Sequence, residues 1–412
     1  MVRRVTLIEP KNSHLHIFSR FELPRLGGVL LATILRNQGY EADALFASPE
    51  EALRAPLSAD LVGISTITAT APGAYRIADE LRRRGTPVVL GGPHASFLPE
   101  EALQHADFSL LRVNGGKPFL TPGHGRPTIP IQTSRGCPFD CTFCSVTGMF
   151  GRRYRHRSTA NVLSELTRYD PRHCFLFFYD DNFTANPRRS KELLREMIRL
   201  NLGFKWSTQV RTDVAKDPEM LDLMAEAGCN YLYIGFESVD PVALREMHKS
   251  QTVAEMRTAI REIHRRRIGI HGMFVFGFDS DTPQTARATV DFALQERVDT
   301  AQFLILTPLP GSDFYGKVLQ EARLLDRNWD TYDAHHVKYL PRGFTPWELQ
   351  QAQIQAHARF YAPLRVAGRL IRGSLTSFVI GLYARGLNRR WQIQERDYLR
   401  LLRMVHPWPA MG

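Results

Sequence analysis

Short apolar runs alternate with amphipathic stretches in two successive series along this 412-residue chain. In the first series the apolar runs are nearly continuous and rich in β-branched residues, which is typical of parallel strands buried on both faces. Its predicted strands lie at 5–8, 41–46, 60–66, 87–91 and 107–111, and its predicted helices at 24–38, 50–54, 72–84 and 99–105. The alternation predicts an α/β fold over residues 1–112, a doubly wound, flavodoxin-like parallel sheet that binds ligands at the carboxyl ends of its strands.

The second series begins after residues 113–128, a segment rich in Gly and Pro that we interpret as an interdomain linker. Its predicted strands lie at 129–133, 174–179, 205–210, 231–236, 269–276 and 301–306. The predicted helices between them lie at 160–169, 188–200, 218–227, 253–266 and 283–296. Six units fall short of the eight that close a full barrel. The pattern therefore predicts a partial (β/α)6 TIM-like barrel over 129–310, followed by a basic, mostly helical C-terminal region over 311–412.

Three of the five cysteines lie within eight residues of one another, as Cys137-x3-Cys141-x2-Cys144, directly after the first predicted barrel strand. Thiolates that converge from one short loop are soft ligands for a metal centre. Three of them can hold three irons of a 4Fe–4S cluster and leave the fourth iron open to a substrate or cofactor. Zinc is the competing metal, but a structural zinc site needs a fourth Cys or His at a typical spacing, and none follows here. Cys174 and Cys229 lie in or beside apolar strands and are predicted core residues.

The cysteine loop and several later strand ends together resemble the radical S-adenosylmethionine (radical SAM) superfamily. An aromatic residue, Phe143, precedes the last cysteine, and Gly235-Phe-Glu-Ser238 ends the fourth predicted barrel strand. The resemblance implies a 4Fe–4S cluster on Cys137, Cys141 and Cys144 whose open iron binds SAM. It also implies that further residues bind SAM, namely Phe143, Asp180, Asp181, Asn182, Gln209, Arg211, Glu237 and Gly277. The carboxyl ends of strands are also where a barrel places its active site.

The N-terminal domain resembles the cobalamin-binding domain that precedes many radical SAM enzymes. Small residues end its predicted strands, and small residues let a large ligand approach the backbone closely. The resemblance implies a cobalamin site formed by Gly27, Ser65, Thr66, Gly91, Gly92 and His94. The D-x-H-x-x-G signature that supplies a cobalt ligand in other cobalamin proteins is missing from this domain. The alternative is a flavodoxin-like domain that binds no cobalamin.

The resemblance implies an enzyme that forms a 5′-deoxyadenosyl radical from SAM and, with cobalamin, methylates an unactivated carbon of a small-molecule or lipid-like substrate. A reductant protein such as flavodoxin or ferredoxin would supply the electron. Three alternatives stay open: a cobalamin-assisted oxidative cyclase or rearrangement enzyme, a radical SAM oxidoreductase without cobalamin, and an iron–sulfur binding or regulatory protein without catalysis. Nothing in the motifs selects a substrate, because fold and cofactor motifs are shared across many chemistries.

Most of the net charge of +11 belongs to the C-terminus, because residues 351–412 contain ten Arg, no Lys and only two acidic residues. Such a stretch is typical of an amphipathic surface that meets anionic lipid, of a site for an acidic substrate, or of a helical cap with solvated arginines. Nucleic acid is a disfavoured partner, since no RNA-binding module is evident. With no signal peptide and no long apolar run, the sequence predicts a cytoplasmic protein. We also expect residues 329–339, including His335 and His336, to lie near the substrate opening.

Overall fold

The computed structural model describes residues 2–11, 26–97, 128–371 and 374–405. Four parallel strands form its first sheet, in the order β2-β1-β3-β4. In chain order the elements are β1 (Arg4–Pro10), α1 (Leu26–Asn37), β2 (Glu41–Ala47), α2 (Pro49–Arg54), β3 (Leu61–Ser65), α3 (Ala71–Arg83), β4 (Val88–Gly91) and α4 (Pro93–Phe97). The predicted parallel α/β architecture is confirmed. The predicted helix at 99–105, the strand at 107–111 and all but the last residue of the linker at 113–128 lie outside the described residues.

The core of this first domain is completed by residues from far along the chain. Buried residues of the sheet and of α3, such as Ile64 and Ile77, form one apolar cluster with Tyr315, Trp329 and Tyr332. These aromatic side chains bring a large apolar area to the cluster. The N-terminal sheet is therefore packed against the segment that follows the second domain.

Six parallel strands form the second sheet, in the order β5-β8-β9-β10-β11-β12, which confirms the predicted partial barrel. Its strands are β5 (Thr128–Ile131), β8 (Phe175–Phe178), β9 (Trp206–Val210), β10 (Cys229–Glu237), β11 (Gly269–Phe276) and β12 (Thr300–Ile305). Between β5 and β8 lie β6 (Ser134–Arg135), α5 (Val146–Phe150), β7 (Arg155–His156) and α6 (Thr159–Leu166), with β6 and β7 paired antiparallel. The later barrel helices are α7 (Pro187–Arg199), α8 (Pro218–Glu226), α9 (Pro241–Glu246), α10 (Val253–Arg265) and α11 (Pro283–Gln295). The pair β6–β7 and the helices α5 and α9 are not among the predicted elements, because elements this short give no clear period.

Local sequence sets where the barrel helices begin. The side chain of Asn186 accepts a hydrogen bond from the Arg189 backbone N–H at the start of α7. Thr252 and Glu255 form a reciprocal capping box at the start of α10. Each cap satisfies backbone donors that the helix itself leaves unpaired, which contributes about 1 kcal/mol.

The C-terminal region is helical, as predicted. It contains α12 (Asp313–Gln320), α13 (Pro346–Phe360), α14 (Pro363–Ile371), α15 (Leu375–Gln394) and α16 (Arg396–Leu402). Helix α13 packs against β12 and α11, so it covers the open side of the barrel beyond its last strand. Within the described ranges, none of the helices has the length and hydropathy needed to cross a bilayer.

Residues 329–339 are largely buried and line no open surface, and their predicted nearness to the substrate opening stays a prediction. His335 and His336 are 5% and 0% exposed. The ring of His336 contacts the Asp333 carboxylate at 3.0 Å, and the Tyr339 hydroxyl donates to the carbonyl oxygen of Gly277. The segment is a buried connection between the barrel and its C-terminal helices, because its aromatic and polar side chains find partners inside the protein.

Candidate functional site

The cysteine loop follows β5 at the carboxyl end of the barrel and is tied to the segments that follow β8 and α9. The Gly136 N–H donates to Asp181 Oδ2 at 3.1 Å, and the Thr142 N–H donates to the carbonyl oxygen of Met247 at 3.2 Å. Gly136 has φ of 87°, and a Cβ there would lie 2.8 Å from the Arg153 carbonyl oxygen. Only glycine therefore allows the loop to turn at this point. All three cysteines of the loop are free of disulfide bonds and partly exposed.

Arg211 lies just after β9, and its side chain contacts the cysteine loop. Its guanidinium lies 3.9 Å from the centre of the Phe139 ring. Its Nη1 donates to Cys141 Sγ at 3.7 Å. A cation in this position stabilises negative charge on the sulfur and fixes the direction of the Cys141 side chain.

The thiols form a donor set that fits an iron–sulfur cluster. Burial raises the pKa of Cys137, and it raises the pKa of Cys144 to about 12, with further contributions from the neighbouring thiols. Thiolates in such a place are stabilised by a bound metal centre. In the part of the chain that the structure describes, no three His, Cys, Asp or Glu side chains converge tightly enough to hold a single ion. Along the sequence, the Cys137-x3-Cys141-x2-Cys144 spacing suits a cluster in which each cysteine binds a different iron, whereas a tetrahedral zinc site would need a fourth ligand.

Asp180 is fully buried and holds the segment that leads into the cysteine loop. Its Oδ1 accepts from the backbone N–H groups of Thr133 at 2.7 Å and Ser134 at 3.0 Å, and its Oδ2 accepts from the Thr133 hydroxyl. Burial raises the pKa of this carboxyl. Gln209 Nε2 donates to the Asp180 carbonyl oxygen at 3.3 Å, and Asn182 is buried as well. Asp180 therefore has a structural role: its carboxylate fixes the backbone before the cysteine loop. The sequence pattern does not reveal this role.

Glu237 ends β10 beside a lysine that sequence reasoning missed. Its carboxylate forms a buried ion pair with the Lys249 ammonium, and its backbone has φ of 62°. A Cβ on Gly235 would lie 2.2 Å from Glu237 Oε1 and 2.7 Å from Lys249 Nζ. Gln251 Nε2 donates to the Phe236 carbonyl oxygen at 2.8 Å and supports the same turn. Lys249 lies in an irregular segment, so no periodic pattern could have identified it.

Gly277 directly follows β11 and has a backbone conformation that few other residues adopt. Its φ is 113°, and a Cβ there would lie 2.4 Å from the Tyr339 hydroxyl oxygen. Asp281 Oδ2 accepts from the Gly277 N–H at 2.9 Å and from the Phe278 N–H at 3.1 Å, and burial raises the pKa of Asp281 to about 7. The Phe278 ring packs edge-on against Phe143, with centroids 5.9 Å apart. The end of β11 therefore touches the cysteine loop through this aromatic pair.

Part of the predicted cobalamin site is open at the carboxyl edge of the first sheet. A Cβ on Gly27 or on Gly91 would meet no described atom within 4 Å, and Ser65 is half-buried. Helix α4, which follows this edge, lies beside α5, the helix that follows the cysteine loop. The ligand-binding edges of the two sheets therefore face the same part of the molecule.

The other predicted cobalamin residues point into the protein. Gly92 has φ of 92°, and a Cβ there would lie 2.5 Å from the Thr66 carbonyl oxygen, so glycine is needed for the fold itself. Thr66 is buried. His94 is fully buried, with its ring centroid 5.1 Å from that of Trp329 and 6.1 Å from that of Tyr75. This histidine joins the first domain to the C-terminal region.

Two family profiles match the chain: the radical SAM superfamily over residues 131–293 and the B12 binding domain over residues 18–112. The bacteriochlorophyllide d C-12(1)-methyltransferase of Chlorobaculum tepidum is 29% identical over 353 residues, covering 76% of each chain. The anaerobic magnesium-protoporphyrin IX monomethyl ester cyclase of Cereibacter sphaeroides is 30% identical over 66% of this chain and 47% of its own. Among solved structures, the radical SAM methyltransferase TsrM from Kitasatospora setae, with cobalamin and a 4Fe–4S cluster bound, matches at a TM-score of 0.67 and 19% identity, covering 96% of this chain and all of TsrM. The last likeness is one of fold.

Proposed function

Because the chain belongs to the radical SAM superfamily of enzymes and carries an N-terminal domain of the B12-binding family, we propose that it is a cobalamin-dependent methyltransferase. Its acceptor would be an unactivated carbon of a small-molecule or lipid-like substrate. The observation that carries this proposal is the contact of α4 with α5, which sets the ligand edge of the first sheet beside the cysteine loop. Similarity to a bacteriochlorophyllide methyltransferase over three quarters of both chains supports it.

When bound, the cluster with SAM supplies a 5′-deoxyadenosyl radical, and cobalamin supplies a methyl group. The chain's own task is to hold and orient these groups and to exclude water. Cys137, Cys141 and Cys144 would bind the cluster, and Arg211 would keep Cys141 in place through the bond at 3.7 Å. Asp181 would stabilise the loop through Gly136.

SAM itself would lie across the ends of β8 to β11. The half-buried Asp181, Gln209 and Arg211 follow β8 and β9, at one side of this proposed site. At the other side lie Glu237, which ends β10 and pairs with Lys249, and Gly277, which follows β11. Carboxylates and amides at strand ends suit the amino and hydroxyl groups of SAM, and the Phe143–Phe278 pair suits its adenine.

A second candidate is a cobalamin-assisted oxidative cyclase. The similarity to an anaerobic cyclase of magnesium-protoporphyrin IX monomethyl ester favours it. That similarity spans less than half of the cyclase, so we put methylation first.

The cluster assignment is tested on the full chain reconstituted without oxygen. We expect about four irons per chain and, with a chemical reductant and SAM, formation of 5′-deoxyadenosine. Cys141→Ala should lose both, whereas Cys174→Ala, at a buried cysteine of the barrel core, should keep both. A Cys141→Ala protein that still forms 5′-deoxyadenosine would overturn the assignment.

Methyl transfer is tested with protein produced in a host supplied with cobalamin. We expect cobalamin to copurify and to take a labelled methyl group from methyl-labelled SAM. Bacteriochlorophyllide d is the first acceptor to try, since the relative from Chlorobaculum tepidum acts on it. Failure to bind cobalamin would contradict both candidates, and a ring-closed product without label from magnesium-protoporphyrin IX monomethyl ester would favour the cyclase.

A further inference from the structure

Helices α14 and α15 expose aliphatic side chains that no described residue covers. Leu364 and Ile371 of α14 are 88% and 86% exposed, more than any other large apolar side chain that the structure describes. On α15, Leu375, Val379 and Leu382 are 63%, 36% and 52% exposed. Their spacing of four and three residues sets them on one face of the helix. The surface of a soluble protein rarely groups so many exposed apolar side chains unless they form an interaction site.

Two of these side chains border a groove of about 870 Å³ at the amino ends of β10 and β11. Leu364 and Leu375 line the groove from the two helices, and Arg365 lies beside them. Arg267 and Arg297 line it from the barrel. The groove therefore lies at the opposite end of the barrel strands from the cysteine loop. Its lining combines apolar groups and four arginines with one acidic residue, Asp299, which contacts His264 at 2.8 Å.

The positive charge of this face is not neutralised within the described chain. Arg365, Arg389 and Arg390 form no ion pair with any acidic side chain that the structure describes. The two acidic residues of 351–412 are engaged elsewhere, Glu395 with His336 at 3.4 Å and Asp397 with Arg400 at 3.1 Å. The face formed by α14, α15 and the groove therefore presents a net positive field to its surroundings.

We propose that this α14–α15 face docks on the surface of a bilayer that contains anionic phospholipid. Aliphatic side chains would enter the boundary between headgroups and acyl chains, while the arginines bind lipid phosphates. A second copy of the chain would bring like charges together. An electron donor would have to approach the cysteine loop, which lies at the other end of the strands. An anionic bilayer offers hydrocarbon and negative charge to the same face, and this docking does not depend on the proposed methyl transfer.

The experiment is co-sedimentation of the full chain with vesicles of phosphatidylcholine alone or with added phosphatidylglycerol, at low and high salt. We expect binding to the anionic vesicles and its loss at high salt. Leu364→Glu with Ile371→Glu should weaken binding about ten-fold or more, because two inserted side chains become charged. Each of Arg389→Ala and Arg390→Ala should weaken it about five-fold.

Matched controls lie elsewhere on the surface. Leu200→Glu, at a leucine 41% exposed beyond α7, and Arg168→Ala, at an exposed arginine beyond α6, should leave vesicle binding unchanged. All variants should keep the thermal melting temperature of the parent, because the substituted side chains are exposed. The proposal is overturned by a wild-type chain that ignores anionic vesicles, or by equal losses in the controls. It is also overturned by a concentration-dependent dimer that the Leu364→Glu, Ile371→Glu protein no longer forms, because the face would then belong to a second copy.

Discussion

Lys249 and Glu237 form an ion pair inside the barrel mouth, where their side chains are only 5% and 9% exposed. The pair joins the end of β10 to the segment after α9. Taking two charges out of water is costly, and only their mutual attraction and further hydrogen bonds compensate for that cost. Each charge therefore depends on the other, and Glu237 owes its fixed direction to Lys249.

Removal of the lysine alone should be strongly destabilising. We expect Lys249→Met to lower the free energy of unfolding by about 3–5 kcal/mol, because the Glu237 carboxylate is left buried without its partner. Urea denaturation measures the loss. The double variant Lys249→Met, Glu237→Gln should recover most of it, since no buried charge remains. A loss below about 1 kcal/mol in the single variant would show that the pair is not buried in solution.

A methyl group on Gly235 should disturb the same pair. Its Cβ would stand 2.2 Å from Glu237 Oε1, so the carboxylate must move. On the proposed function, we expect Gly235→Ala to weaken SAM binding about ten-fold while the iron content stays unchanged. Isothermal titration with SAM under anaerobic conditions measures this. Gly316→Ala, in helix α12 with no atom within 4 Å of the added carbon, is the control and should bind SAM normally.

Arg211 should tune the cluster that the cysteines hold. Reduction adds negative charge, which the guanidinium beside Cys141 stabilises, so Arg211→Met should shift the reduction potential to a more negative value. Loss of one charge-assisted hydrogen bond, about 1–2 kcal/mol, corresponds to roughly 40–90 mV for a one-electron couple. Spectroscopic redox titration measures the shift. Arg152→Met, which removes an exposed arginine paired with Asp140 in the same loop, should leave the potential within about 20 mV. A positive shift in Arg211→Met would contradict the assignment.

The sequence predicts elements well where the signal is local. The six barrel strands recur between amphipathic helical stretches, and three cysteines lie within eight residues of one another, so both can be found without the fold. Asp180 shows the limit: its donors at Thr133 and Ser134 lie 47 and 46 residues earlier and meet it only when β5 pairs with β8.

Other residues show the same limit at other separations, which range from 12 residues for Lys249 and Glu237 to 235 for His94 and Trp329. The ring of His94 meets that of Trp329 only because the first domain packs on the C-terminal region. Lys249 reaches Glu237 because an irregular turn brings it back to the strand end. A periodic pattern in the sequence carries no trace of such partners.

His336 should make stability fall at alkaline pH. It is buried, with its ring 3.0 Å from Asp333 and 3.4 Å from Glu395. Burial lowers the pKa of His336, but the charge of Asp333 and the hydrogen bonds with both acids outweigh it and raise the pKa to about 9. Although burial raises the pKa of Asp333, the His336 charge outweighs it and holds that pKa below its usual range. The imidazolium therefore ties the segment after β12 to the last helices.

These pKa shifts make the folded protein less stable as the pH rises. The contribution of His336 is complete below its unfolded pKa of 6.5 and disappears as the pH rises through about 9, and that of Asp333 is complete above 3.8. From pH 6 to pH 9.5 we therefore expect the wild type to lose about 3 kcal/mol more unfolding free energy than His336→Gln does. Urea unfolding at the two pH values measures this. His173→Gln, at a histidine 79% exposed, should lose as much as the wild type, because its partner Asp170 lies near the surface. Equal losses in the wild type and His336→Gln would mean that the imidazole is neutral in the folded chain, since all other titrating groups are common to both proteins.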